Sequence, residues 1–114
     1  MLNIIRNIFR QTAEQRRIDY KNFERFTTIR FKLPFFELRV NAIGRNCEAL
    51  IDYIGEILDD CRFVEENKWS IIRVNNSKDT QDAIDACIKL REMLDKLLNE
   101  CIKDLEEKKK AEEA

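Results

Sequence analysis

One stretch decides the fold: residues 47–61, which read Cys-Glu-Ala-Leu-Ile-Asp-Tyr-Ile-Gly-Glu-Ile-Leu-Asp-Asp-Cys. Its apolar residues recur at alternating steps of three and four, and the same steps continue back to Phe36. These heptad positions are Phe36, Val40, Ile43, Cys47, Leu50, Ile54, Ile57 and Cys61. Such spacing keeps one side of a helix against a neighbouring helix. The pattern predicts a heptad helix over residues 34–62, with Pro34 in its first turn.

A second stretch of the same length, residues 87–101, also begins and ends with cysteine. It lies within a longer apolar pattern at helical spacing: Ala83, Cys87, Leu90, Leu94, Leu97 and Cys101. The pattern predicts a long amphipathic helix over residues 79–109, followed by a solvated tail at 110–114. Ser77 or Asp79 would cap its start, after the turn signal at residues 75–77.

The two stretches hold every cysteine of the chain. If their helices pack antiparallel, Cys47 lies near Cys101 and Cys61 lies near Cys87. In these four residues the chain resembles the twin-cysteine helical hairpins of the mitochondrial intermembrane space, and the resemblance implies two disulfides that lock two helices. The chain shows no secretory signal, and cysteine is often buried as a small apolar residue, so four reduced, buried thiols are the favoured interpretation.

The remaining segments predict one more helix and two strands. Residues 1–26 carry apolar and basic residues at helical spacing, which indicates a basic amphipathic helix. Its predicted apolar face consists of Leu2, Ile5, Phe9, Ala13, Tyr20 and Phe23, with Ile8 and Phe26 at the margin. Residues 27–33 and 68–74 read as short strands, the first from its alternation of apolar and polar residues and the second from its β-branched and aromatic content. A second strand over residues 35–40, forming a hairpin around Pro34, is an alternative. The predicted fold is mainly α: one domain of three long amphipathic helices, packed as a bundle or antiparallel hairpin, with two short β-strands.

Charge divides the chain into a basic and an acidic half. Residues 1–46 carry ten basic and four acidic residues, a net charge of +6, whereas residues 47–114 carry eleven and eighteen, a net charge of −7; together these give the −1 of the whole chain. A basic half is typical of proteins with an anionic partner. Neutralisation of one half by the other, within one molecule or between copies, explains the division equally well.

The residue content excludes several kinds of site. The chain has no histidine, which removes Ser-His and Cys-His nucleophile pairs and the usual zinc hydrolase sites. Its two glycines, Gly44 and Gly55, cannot form a phosphate-binding loop. We therefore expect no enzyme activity, no catalytic residues, no metal and no cofactor.

Two functional hypotheses follow. The first is a non-enzymatic adaptor, complex subunit or protein inhibitor that acts through its helices on a protein partner or on itself as a homo-oligomer, with an interface at Phe36, Ile43, Leu50, Ile57, Leu94 and Leu98. The second is a small nucleic-acid-binding protein that contacts phosphates through Arg6, Arg10, Arg17, Lys21, Arg25, Arg30 and Lys32, with Phe31 or Phe35 available for base stacking.

No apolar run is long enough for a transmembrane segment, and docking on a membrane surface is disfavoured. We expect a cytoplasmic location. The first 13 residues also have the arginine-bearing, acid-free, amphipathic character of a mitochondrial presequence.

Overall fold

The computed structural model describes the backbone of residues 2–113 and the side chains of residues 12–113. Its helices are α1 (Leu2–Lys32), a 3₁₀ turn (Leu33–Phe35), α2 (Phe36–Ile43), α3 (Cys47–Glu66), α4 (Lys68–Val74) and α5 (Lys78–Glu113). The mainly α class is confirmed. The two predicted strands are wrong, since residues 2–113 contain no strand, and the predicted count of three helices is also wrong.

The predicted strand at residues 27–33 is the last part of α1 and the start of the 3₁₀ turn. Phe26, Ile29 and Leu33 follow helical spacing and pack in the core, whereas Phe31, which created the alternating pattern, is 76% exposed. The hydroxyls of Thr27 and Thr28 donate to the carbonyl oxygens four residues earlier, at 3.0 and 3.1 Å, so these β-branched residues are accommodated in a helix.

The predicted strand at residues 68–74 is α4, a helix of two turns. Asn67 joins it to α3: its backbone N–H donates to the Phe63 carbonyl at 3.0 Å, and its own carbonyl accepts from the Ile71 N–H at 3.0 Å. α4 buries Ser70 and Ile71 and leaves Trp69 68% exposed. Packing against α1 outweighs the β-propensity of these residues.

The predicted helix over residues 34–62 is divided in two, and the strand alternative at residues 35–40 is also wrong. α2 ends at Ile43 because Gly44 adopts φ +66°, which a residue without Cβ reaches at little cost. The side chain of Asn46 then accepts from the Ala49 N–H at 3.1 Å and caps α3. The step from Ile43 to Cys47 keeps the heptad spacing in sequence although the backbone turns between them.

α3 packs antiparallel against α5. Arg62 contacts Asp95 at 3.1 Å, and Glu65, further along α3, pairs with Arg91, which lies earlier in α5. α5 begins with the predicted cap, since the Ser77 hydroxyl accepts from the Thr80 N–H at 3.2 Å. The fully buried core consists mainly of residues from these two helices, joined by two from α1 and one from α4: Phe26, Ile29, Ile54, Ile57, Leu58, Cys61, Val64, Ile71, Ile84, Cys87 and Leu94.

α1 buries a different face from the one its apolar residues predict. Tyr20, on the predicted face, is 60% exposed, whereas Phe26, at its margin, is 1% exposed. The buried face is centred instead on Asp19, Phe26 and Ile29. The predicted face also included Leu2, Ile5 and Phe9, with Ile8 at its margin, and the side chains of these four residues lie outside the described residues.

Asp19 is 5% exposed and fixes α1 on α4 through its carboxylate. Arg73 donates from Nε to Oδ2 at 2.9 Å and from Nη2 to Oδ1 at 3.0 Å. Oδ1 also accepts from the Ser70 hydroxyl at 2.6 Å and from Gln15 Nε2 at 2.9 Å. The hydrogen bonds from Arg73 lower the pKa of Asp19 far below that of an ordinary aspartate, with Ser70 and Gln15 adding to the effect against the opposing cost of burial.

The molecule is elongated, with extents of 75 × 28 × 18 Å and a radius of gyration of 19.5 Å. A compact domain of this length would have a radius of gyration of about 13 Å. Both long helices contribute to this shape, because residues 12–18 of α1 and most of residues 102–113 of α5 are exposed. The helices therefore carry more side-chain surface than their shared core covers.

The two glycines should respond in opposite ways to alanine. A Cβ at Gly55, inside α3, meets no atom within 4 Å, so Gly55→Ala should raise the unfolding free energy by about 0.5–1 kcal/mol. Gly44→Ala should lower it by about 1–3 kcal/mol, because an L residue is strained at φ +66°. Urea denaturation measures both variants. An equal rise in both midpoints would show that the α2–α3 turn does not require glycine.

Asp19→Asn should lower the unfolding free energy at pH 7 by about 1.5–3 kcal/mol, the usual contribution of hydrogen bonds to a charged group. Because folding lowers the pKa of Asp19, its ionised form stabilises the protein fully above about pH 4, and the effect is lost as the pH falls toward the folded-state pKa. The difference between wild type and Asp19→Asn should therefore shrink below pH 4. Glu24→Gln, an exposed acid on the same helix, is the control. A difference that stayed constant down to pH 2 would contradict this role.

Candidate functional site

An apolar groove lies between the end of α1 and the outer side of α5. It encloses about 540 Å³, a volume typical of binding sites. Its lining residues come from the end of α1, the 3₁₀ turn and three turns of α5: Arg30, Leu33, Pro34, Ala83, Ala86, Cys87, Lys89, Leu90 and Met93. Ala83 and Ala86 are too small to fill the space beside Pro34, and this leaves the groove open.

The α5 wall of the groove carries its own heptad pattern. Ala83, Ala86, Leu90, Met93 and Leu97 follow steps of three and four, beside the buried positions Cys87 and Leu94. Met93 is 67% exposed, although it lies in a row of apolar residues. Met93 was not among the residues predicted from the sequence, which placed the interface of this helix at Leu94 and Leu98. The position of Met93 beside the apolar residues of α5 was the signal that could have revealed it.

Both charged residues that line the groove, Arg30 and Lys89, are basic. Arg30 belongs to the basic set predicted from the sequence. The pKa of Cys87, which also lines the groove, is lowered mainly by the neighbouring Cys61 thiol, with a smaller contribution from the positive charge of Arg30. The groove thus combines an apolar floor with positive charge at its sides.

A second, aromatic cleft lies at the connection between α1 and α2 and is bordered by α3 on its other side. It encloses about 340 Å³ and is lined by Phe31, Lys32, Phe35, Arg39, Tyr53 and Glu56. Phe31 and Phe35 are 76% and 52% exposed, with ring centroids 5.9 Å apart. Tyr53 stacks on Phe36 at 5.7 Å, and burial raises the pKa of its hydroxyl.

The predicted anion-binding residues are not equivalent in the structure. Lys32 pairs with Glu56 and, at 3.1 Å, with Asp60 of α3, so its charge is already matched. The guanidinium of Arg25 lies over the Phe63 ring, 3.9 Å from the ring centre. Lys21 is exposed, and exposed Arg17 lies 3.9 Å from Glu14. The side chains of Arg6 and Arg10 lie outside the described residues.

The predicted interface residues divide between core and surface. Ile57 and Leu94 are 0% and 2% exposed and pack in the core shared by α3 and α5. The other four are half-buried around that core: Phe36, Ile43, Leu50 and Leu98. Leu90 and Met93, which line the apolar groove, lie next to the predicted positions.

All four cysteines are free thiols. Cys61 and Cys87 are both buried, and the neighbouring Cys87 thiol, together with burial, raises the pKa of Cys61. Cys47 and Cys101 are half-buried, and burial raises the pKa of Cys101, with a smaller effect from Cys47. The Lys108 ammonium lies 3.5 Å from the sulfur of Cys47.

Alkylation should separate these thiols by exposure. We expect N-ethylmaleimide to modify Cys47 first in the folded protein, because it is half-buried beside the Lys108 ammonium, and Cys61 and Cys87 only after unfolding. Mass spectrometry of the unfolded, unreduced protein should then show four modified thiols. A pair that resists modification until reductant is added would instead indicate a disulfide.

The described side chains of residues 12–113 include no group of three or more cysteine, aspartate or glutamate residues placed to hold a metal ion. No helix within residues 2–113 combines the length and hydropathy needed to cross a membrane. Comparisons with protein-family models, curated proteins and solved structures gave no match.

Proposed function

We propose that this chain is a non-enzymatic interaction protein that binds an amphipathic helix of a partner protein in the apolar groove. The exposure of Met93 beside half-buried Leu90 supports this proposal most directly. An unbranched, flexible side chain adapts to the shape of a bound helix, which is why methionine is common on surfaces that bind helices. An adaptor, a complex subunit and an inhibitor would all use this binding step.

The shape of the groove favours a helical ligand. Its wall is a segment of α5 with apolar residues at steps of three and four, the spacing that accepts the side chains of a second helix. Residues 2–113 offer no strand edge to which an extended peptide could add. The proposed contact would extend the α3–α5 core by one further helix.

The charge of the groove indicates the chemistry of the partner. Arg30 and Lys89 flank the apolar floor, and neither forms an ion pair within 4.0 Å among the described side chains. A partner helix with apolar residues on one face and aspartate or glutamate beside them would match both features. We therefore expect an acidic amphipathic helix.

Exposed residues allow a test that leaves the fold intact. Met93→Glu should weaken partner binding at least tenfold, because it places a carboxylate on the apolar floor. Arg30→Glu should weaken it as well, by reversing the charge that faces the partner. A p-benzoylphenylalanine residue at position 93, irradiated in extracts of the native source, should cross-link to a partner peptide with the expected acidic, amphipathic pattern.

Ile102 provides the matched control, as an exposed apolar position on α5 outside the groove. The same photoreactive residue at position 102 should give no such product, and Ile102→Glu should bind the partner normally. Equal cross-linking from both positions would contradict a specific groove. A cross-link from position 93 to a second copy of the chain, together with dimers in light scattering, would replace the partner protein with self-association.

A further inference from the structure

The aromatic cleft, on a different surface from the groove, combines features that the proposed function does not use. Phe31 and Phe35 expose most of their ring surface and lie in tilted contact with each other. Leu38, one turn further on, is 68% exposed. Two neighbouring phenylalanines in solvent lose the benefit of burial, so their position requires an explanation.

Positive charge beside these rings is available to a ligand. Arg39 lines the cleft, with its guanidinium 5.8 Å from the centre of the Tyr53 ring. Among the described side chains it has no ion-pair partner within 4.0 Å, unlike Lys32, which pairs with Glu56 and Asp60. Arg39 can therefore bind an anion without first breaking a salt bridge.

The exposed side of α1 extends this charge away from the cleft. Lys21 lies on the same side of the helix as Phe31 and Lys32, about 15 Å from Phe31 along the axis. It is exposed, and no ion pair within 4.0 Å reaches it among the described side chains. Arg17 continues the line one turn earlier. Aromatic rings thus stand at one end of a short basic track.

We infer that the cleft binds single-stranded nucleic acid, with unpaired bases stacked on Phe31 and Phe35 and backbone phosphates held by Arg39 and Lys21. Exposed rings beside basic side chains are the usual means of binding single strands, since every base offers a flat face to stack. A duplex hides those faces within its own stack. The acidic pI of about 5.6 limits the general attraction for nucleic acid, so binding should depend on this local arrangement.

Fluorescence anisotropy with the full-length chain tests the inference. The probes are fluorescein-labelled dodecamers of deoxythymidine and uridine, titrated from 50 to 200 mM NaCl. Phe31→Ala combined with Phe35→Ala should raise the dissociation constant at least about 30-fold, as expected for two lost base stacks, and leave the salt dependence unchanged. Arg39→Ala should reduce the slope of log affinity against log salt by about 0.7, as expected for one lost phosphate contact.

Three controls match these variants. Leu38→Ala removes an adjacent apolar residue that has no aromatic face, Lys96→Ala removes an exposed charge on α5, and Met93→Ala alters the groove. All three should bind the oligonucleotides as wild type does. Tighter binding of the uridine dodecamer would assign the site to RNA, and tighter binding of the deoxythymidine dodecamer would assign it to DNA. Either result supports the inference.

Two results would overturn the inference. The first is no binding of either dodecamer at 50 mM NaCl. The second is binding that the Phe31/Phe35 double variant retains in full, or that Leu38→Ala weakens equally, because neither agrees with base stacking. Failure here would leave the groove proposal intact, since Met93→Glu and Arg30→Glu change a different surface.

Discussion

The pairing of α3 with α5 is the contact on which the other helices depend. Ile54, Ile57 and Cys61 of α3 are fully buried in the core that α3 shares with α5, and Cys61 and Cys87 contribute two small, neighbouring side chains to that core. Larger residues at these two positions would separate the helices, because packed cores do not absorb extra volume without strain. α1 and α4 then cover one side of the pair, with Phe26 and Ile71 completing the core.

α1 is held mainly through α4, and this arrangement produces the groove. The carboxylate of Asp19 binds Ser70 and Arg73 of α4, while Lys32 reaches α3 through Asp60. α1 therefore ends at the 3₁₀ turn without packing closely along α5, and the gap beside Pro34 is lined by alanines. The groove is lined by Leu33 and Pro34 of this turn and the aromatic cleft by Phe35, so both openings adjoin the 3₁₀ turn.

The sequence predicted the parts of the fold that follow from apolar periodicity. The helical spacing of residues 47–61 and 87–101 identified α3 and α5. Periodicity failed at residues 27–33, where an alternation of apolar and polar residues coincided with helical positions. The prediction also failed at residues 68–74, where tertiary contacts outweighed β-propensity. It also misplaced the buried face of α1, because periodicity counts apolar residues, whereas this face is centred on the hydrogen-bonded carboxylate of Asp19. The candidate sites were predictable only in part: Arg30, Phe31 and Phe35 were named, but Met93 and Arg39 depend on which faces the helices leave uncovered.

The division of charge along the chain can now be assigned to particular pairs. Part of the basic half is neutralised within the molecule, since Lys32 pairs with Glu56 and Asp60, and Asp19 pairs with Arg73 from the acidic half. Within the acidic half, Arg62 pairs with Asp95, and Arg91 pairs with Glu65 and Asp95. The basic residues outside these pairs include those at the two openings, Arg30 beside the groove and Arg39 beside the cleft. Ion pairs within the molecule therefore neutralise part of the basic half, but not the positive charge at these two surfaces, which a bound acidic ligand would match.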